Sequence, residues 1–288
     1  MTVLVTIESE LSRATDSLAR AGVPSPRVDA ELLLGHILQL SRGAIQAQAL
    51  LGAALGAEQA GVFEGFLKRR VAREPLQHIT GKAPFRSLEL SVGPGVFVPR
   101  PETEQVVQFA IDALRAVPSE QPLGVDLGTG SGAIALAMAT EVPHSKIWGI
   151  EVSPAAFVWT SRNFHDSGAD NATAILGDLA DALPEFNGQL DVVISNPPYI
   201  PSDAIPRDLE VRLHDPEIAL YGGVDGLDIV RQVSATALRL LHAGGLLVME
   251  HGELQAADIA TLLSADGWSA VSSHRDLVGR DRSTTAIR

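Results

Sequence analysis

The sequence predicts an α/β protein: a seven-stranded sheet with helices on both faces, preceded by a small N-terminal helical bundle. Three observations predict it. Residues 9–72 carry apolar side chains at helical spacing. From residue 122 onward, short apolar runs alternate with helical patterns, as parallel strand units do. A glycine-rich turn, Gly128-Thr-Gly-Ser-Gly132, joins one such run to the next helix.

Ser9 to Ala21, Val28 to Leu40 and Ala57 to Ala72 read as helices, punctuated by Gly22-Val-Pro24 and Ser41-Arg-Gly43, so residues 1–80 are expected to form the bundle. The bundle brings no site chemistry of its own and is either a stabilising cap or a module that recognises the substrate. Lys68, Arg69, Arg70 and Arg73 are its one basic cluster, read as a solvated helix face, with a contact for an acidic partner as the alternative. In residues 81–99, Pro84 to Val92 alternates like a strand and Gly93-Pro-Gly95 turns it, suggesting a linking hairpin. Phe97-Val-Pro-Arg-Pro-Glu-Thr103 then enters the first helix of a domain spanning residues 100–288, with Thr103 as a candidate cap.

In that domain Pro122 to Asp126 reads as the first strand, followed by the glycine loop and the helix Ala133 to Ala139. Ser145 to Glu151, Ala172 to Gly177, Leu190 to Ser195 and Gly245 to Glu250 read as the second to fifth strands. Trp268 to His274 and Ser283 to Ile287 form a closing antiparallel pair. A long polar loop rich in proline runs from Ile200 to Glu217, as recognition loops beside active sites do, and Asp225 to Arg231 begins the next helix.

The chemistry gathers where ligands bind in open parallel sheets, outside the carboxyl ends of the strands. Gly128, Gly130 and Gly132 let the backbone approach a ligand, and the following helix offers unpaired N–H donors. Asp126 sits just before this loop, and Ala133 takes the place of the third glycine of a dinucleotide fingerprint. A carboxylate there repels phosphate but pairs with an ammonium group, so the expected ligand is an amino-acid nucleoside, S-adenosylmethionine, with Thr129 also in its loop. Glu151 is then the acceptor for both ribose hydroxyls and Asp178 the partner of the adenine amine. Asn196-Pro-Pro-Tyr199 ends the fourth strand with a rigid tip. The Asn196 side-chain oxygen and the Pro197 carbonyl each accept a hydrogen from a planar NH₂ group, and Tyr199 packs over its plane. Glu250 and His251 end a strand that lies off the cofactor path and are read as structural, as is Glu217.

This set, Asp126 to Gly132 with Glu151, Asp178 and Asn196 to Tyr199, resembles the class I, Rossmann-like S-adenosylmethionine-dependent methyltransferases that modify planar amide or amine nitrogens. Glu74-Pro-Leu-Gln-His-Ile-Thr-Gly81, Val96 to Glu104, Met249-Glu-His-Gly252 and Asp276 to Arg282 are similar to stretches of the release-factor glutamine methyltransferases. That resemblance runs from about residue 70 to the C-terminus. It implies transfer of methyl to N5 of the glutamine in the Gly-Gly-Gln loop of class 1 peptide chain release factors, with S-adenosyl-L-homocysteine as product. It also implies that Phe97 and Arg100 close the pocket and that Pro99 and Arg100 lie near the methionine part of the cofactor and the substrate.

Composition narrows the alternatives. The 288 residues are 45% hydrophobic and 20% charged, enough apolar content for a substantial core. A net charge of −13 disfavours stable nucleic-acid binding, because an acidic surface repels phosphate and forgoes counterion release. There are no cysteines and no metal-ligand spacing among the histidines, no apolar run of membrane-spanning length, and no signal-peptide pattern, so a cytoplasmic, monomeric enzyme without metal is expected. Two other substrates stay open: a glutamine of a ribosomal protein, which shares the same tip, and adenine N6 of nucleic acid, which needs a basic reading surface absent here.

Overall fold

A computed structural model describes residues 5–288. The chain forms two compact units, one comprising residues up to Gly81 together with Arg207–His214, the other Lys82–Pro206 with Asp215–Arg288.

The first unit holds five helices from its N-terminal stretch: α1 (Ile7–Arg20), α2 (Pro26–Leu38), α3 (Arg42–Leu50), α4 (Ala57–Val71) and α5 (Leu76–Thr80). Thr6 opens α1 with a capping box, its hydroxyl accepting from the Ser9 N–H at 3.2 Å. Leu11, Leu18, Leu33, Leu34, Ile45, Phe63 and Leu67 meet in one apolar core. Helix α3 begins where the sequence suggested a break. Ser41 accepts from the Ala44 N–H at 3.2 Å, so the residue that ends one helix pattern caps the next helix.

The basic cluster divides: Lys68 and Arg69 lie on the solvated face, with side chains 75% and 42% exposed, whereas Arg70 and Arg73 are drawn inward. Arg70 is buried, with its Nε 2.8 Å from Asp29 Oδ2 and its Nη2 2.7 Å from Glu210 Oε1. Arg73 reaches the same Glu210 oxygen at 3.0 Å and donates to the Gly22 carbonyl at 2.7 Å, while Arg69 pairs with Glu74. Glu210 lies in a short helix far along the chain, Leu209–His214, which clusters with this unit rather than with its sequence neighbours. A sequence scan sees like charges side by side; it cannot see opposite charges brought from elsewhere.

The second unit opens with the hairpin β1 (Lys82–Phe85) and β2 (Leu88–Ser91). The chain turns at Arg86, where φ is 53°, rather than at Gly93-Pro-Gly95. Arg86 is held there by hydrogen bonds to Glu104, Gln108 and Glu141. Helix α6 (Pro101–Ala116) leads to β3 (Leu123–Leu127), α7 (Ala133–Glu141), β4 (Lys146–Glu151), α8 (Pro154–Ser167), β5 (Ala172–Leu176) and β6 (Leu190–Ser195). After β6 come the already described helix Leu209–His214, here α9, then α10 (Asp228–Leu240), β7 (Leu241–Glu250), α11 (Ala256–Ala265), β8 (Ser269–Arg275) and β9 (Asp281–Ile287).

The seven strands run in the order β5-β4-β3-β6-β7-β9-β8, parallel except where β9 pairs with β7 and β8. Both faces are covered. Val125, Leu127, Val193 and Leu247 enter a core with α10 and α11, while Val192, Ile194 and Val248 enter a core with α6 and α7. This explains the unbroken apolar runs of the central strands, because a sheet buried on both faces has no polar side to alternate with. The chain builds outward from β3 through β4 to β5, then returns to β6 on the other side of β3. That reversal opens a crevice at the carboxyl ends of β3 and β6, the switch point where α/β sheets bind ligands.

Candidate active site

The glycine loop leaves β3 at this crevice. Gly128, Gly130 and Gly132 have φ of +78°, +57° and +88°, in the left-handed region that side chains disfavour. Their surroundings differ. Added Cβ atoms at Gly128 and Gly130 would meet nothing within 4 Å, so these two line open space, whereas one at Gly132 would lie 2.8 Å from the Phe164 ring. Gly132 is there for close packing of α7 against α8.

Asp126 is fully buried beneath the loop. Burial pushes its carboxyl up to about 7, against the opposing help of the Thr129 hydroxyl and the Ala135 N–H. Thr129 Oγ1 donates to Asp126 Oδ2 at 2.5 Å, so Thr129 acts through the carboxylate instead of facing outward. Asp126 Oδ1 is buried with no hydrogen-bond partner. An orphaned buried acceptor calls for an explanation, and this oxygen can accept from a cationic donor above the loop.

Glu151 ends β4, with Oε2 accepting from the Gly130 N–H at 2.8 Å and Oε1 from the Ser153 N–H at 2.7 Å. The carboxylate therefore fixes the glycine loop, and each oxygen keeps a second lone pair for a ribose hydroxyl. Asp178 follows β5 and is exposed; its Oδ1 caps a short 3₁₀ helix by accepting from the Ala180 N–H at 2.9 Å. Asp178 lines a cleft of about 270 Å³ whose apolar walls include Ile150, Ile175 and Leu183. Such a slot, lined also by the acids Asp181 and Glu185, suits a planar base that carries an amine.

Asn196, Pro197, Pro198 and Tyr199 continue from β6, steadied by Ser195 Oγ donating to the Leu127 carbonyl at 2.6 Å. Their carbonyls are not equivalent. A Cβ on Gly222 would lie 2.4 Å from the Pro198 oxygen and one on Gly226 would lie 2.3 Å from the Tyr199 oxygen, so the loop before α10 packs against both. Gln255 Nε2 donates to the Tyr199 carbonyl at 2.9 Å. Among the described residues no protein donor reaches the Pro197 carbonyl. Asn196 remains half-buried and Pro197 is buried. Two acceptors, Asn196 Oδ1 and the Pro197 oxygen, are therefore left for an incoming NH₂ group. The Tyr199 hydroxyl is pushed up to about 12 by burial and then by the charge of Glu250, so it stays neutral at any physiological pH.

The Arg100 side chain is engaged within the protein. Its Nη2 donates to Asp215 Oδ2 at 2.7 Å, and its guanidinium stacks 4.9 Å from the centre of the Phe97 ring. The pair thus fastens the far end of the long loop that follows the tip. Thr103 is not the cap of α6: Arg100 holds that position, and Thr103 is buried two residues into the helix, facing Glu250.

Glu250 is the residue that sequence reasoning set aside. It is buried, and its carboxyl is raised to about 7 by burial, with Thr103, Arg282 and the Asn196 side chain favouring the charged form and Glu102 opposing it. Its Oε2 and the Thr103 hydroxyl complete no close hydrogen bond. The only signal available earlier was a lone acid ending a buried apolar run. His251, in contrast, is a structural residue as expected, with Nε2 2.9 Å from Thr284 Oγ1 and Nδ1 2.9 Å from the Gly252 carbonyl. Among the described residues there is no cluster of potential metal ligands, and no helix is long and apolar enough to cross a membrane.

Residues 10–81 match the PrmC N-terminal domain and residues 88–213 the methyltransferase small domain. A methyltransferase structure from Pyrococcus furiosus superposes with a TM-score of 0.50 at 21% identity, covering 70% of this chain and 89% of that one, a likeness of fold. The chain is 38% identical to a 4-amino-L-phenylalanine/4-methylamino-L-phenylalanine methyltransferase of Streptomyces pristinaespiralis, over 98% of this chain and 95% of that protein. It is 48% identical to a release factor glutamine methyltransferase of Streptomyces coelicolor, over 96% of both chains, and 40% identical to one of Deinococcus radiodurans, over 96% and 97%. At such identity over nearly the whole length, the chain belongs to the release factor glutamine methyltransferase family.

Proposed function

We propose that this protein transfers a methyl group from S-adenosylmethionine to the side-chain amide nitrogen of the glutamine in the Gly-Gly-Gln motif of class 1 release factors. The observation that carries the proposal is the pair of acceptors without a protein donor, Asn196 Oδ1 and the Pro197 carbonyl, at the switch-point crevice beside the glycine loop. The residues there suit the cofactor. Asp126 has an unpartnered oxygen for its ammonium group, Gly128 and Gly130 leave room for its chain, Glu151 retains lone pairs for its ribose, and Asp178 edges a cleft for its base.

When bound, S-adenosylmethionine supplies a methyl group on a positive sulfur, an electrophile open to in-line attack. The protein's part is positioning. A carboxamide nitrogen is a poor nucleophile because its lone pair is delocalised into the carbonyl. Asn196 Oδ1 and the Pro197 oxygen each accept one amide hydrogen, fixing the nitrogen in line and stabilising the positive charge it gains as the bond forms. Tyr199, kept neutral, packs against the amide plane without competing as a base. A substrate on the translation machinery fits a cytoplasmic enzyme.

The test is transfer of labelled methyl to purified release factor, to its variant lacking the Gly-Gly-Gln glutamine, to 4-amino-L-phenylalanine and to duplex DNA. Label on the intact release factor alone supports the reading. Label on the aromatic amine would place the chain with its Streptomyces pristinaespiralis relative in substrate, and label on DNA would overturn protein methylation altogether.

A further inference from the structure

The side chain of Asn196 has two faces, and only one orientation works. If Oδ1 is to receive the substrate, the Nδ2 hydrogens must point away from it, and they need an acceptor there. Strand register supplies the acceptor. Ser195 of β6 pairs with Met249 of β7, so the next residues, Asn196 and Glu250, leave adjacent parallel strands side by side. Glu250 is 2% exposed, its Oε2 completes no close hydrogen bond, and the Asn196 side chain is among the groups that favour its charged form. Glu102, Thr103 and Tyr199 also border it, and Arg282 brings a buried positive charge.

We infer that Glu250 is a positioning residue, accepting a hydrogen bond from Asn196 Nδ2 and so turning Asn196 Oδ1 toward the nitrogen to be methylated. An ionised carboxylate only accepts, so it selects this orientation of the amide. A protonated Glu250 donates instead, and its O–H competes for Oδ1. This assignment rests on the proposed role of Asn196, and it explains why a buried carboxylate with an incomplete set of partners persists at the end of a core strand.

The chain contains four asparagines, Asn163, Asn171, Asn187 and Asn196, so selective ¹⁵N-asparagine labelling isolates the side-chain amide of Asn196, identified by its loss in Asn196→Asp. In the wild type this signal should move with pH as Glu250 titrates, and in Glu250→Gln it should stay fixed. In single turnovers, Glu250→Met should slow methyl transfer by about 10²-fold, the effect of a misplaced catalytic group, with cofactor affinity changed less than about threefold. Glu250→Gln, which can still accept from Nδ2, should recover much of the rate and lose the decline toward acid pH. An Asn196 signal indifferent to both pH and Glu250→Gln, or wild-type turnover in Glu250→Met, would overturn the inference. The spectroscopic arm needs no substrate. If the wild type ignores release factor while the Asn196 signal follows Glu250, the substrate reading fails and the positioning role stands.

Discussion

Asn196 and Asp126 show how burial sets the chemistry of single residues. On the proposed reading, Asn196→Ala removes one of two acceptors for the incoming amide, and turnover should fall by about 10²-fold or more with cofactor binding retained. A single-turnover assay that returns near-normal rates would remove Asn196 from the chemistry. Asp126 offers a test through stability. In the folded chain its proton is held up to about pH 7, against an ordinary value of 3.8, so between those values the native state binds more protons than the unfolded state. Stability contributed by this group is therefore greatest at low pH and falls as pH rises toward 7. Asp126→Asn removes that dependence, and its melting temperature relative to wild type should rise from pH 5 to pH 8. A constant difference across that range would mean that Asp126 ionises normally.

At the scale of elements, the glycine loop performs two tasks with one residue type. Gly132 is confined by Phe164 and has positive φ, so Gly132→Ala should cost about 1–3 kcal/mol of stability, seen as an earlier denaturant midpoint. Gly130→Ala carries a similar backbone penalty but projects its methyl into open space, so its larger effect should fall on cofactor affinity, measured by titration calorimetry. Equal loss of affinity in both variants would count against this division. The loop, the strand before it and the helix after it were legible in the sequence because strand, turn and helix depend on near neighbours. The linking hairpin was read with its turn in the wrong place. Three contacts from α6 and α7 hold Arg86 at positive φ, and none of them is local.

For the whole molecule, the decisive features are charges brought together across long separations. Arg70 joins Asp29 and Glu210 in a buried network, so Arg70→Met should destabilise the helical unit by about 3–5 kcal/mol, the cost of leaving the buried Asp29 carboxylate unpaired while Glu210 keeps Arg73. Lys68→Glu, on the exposed face of the same helix, should leave the denaturation curve within about 0.5 kcal/mol of wild type. Comparable losses in the two would return the cluster to the solvated face that its composition suggested.

The sequence by itself determined the order of strands and helices, the glycine loop, the acids at the strand ends and the rigid Asn-Pro-Pro-Tyr tip. Each of these is written in residues close together in the chain, where backbone preference and hydrophobic period act. Only the tertiary structure decided that Glu250 stands beside Asn196, that Gln255 takes the Tyr199 carbonyl while the Pro197 carbonyl meets no protein donor, and that Arg70 is a core residue. Parallel strand pairing and buried ion pairs join residues through space, and the partner that changes a side chain's role lies tens of residues or more away.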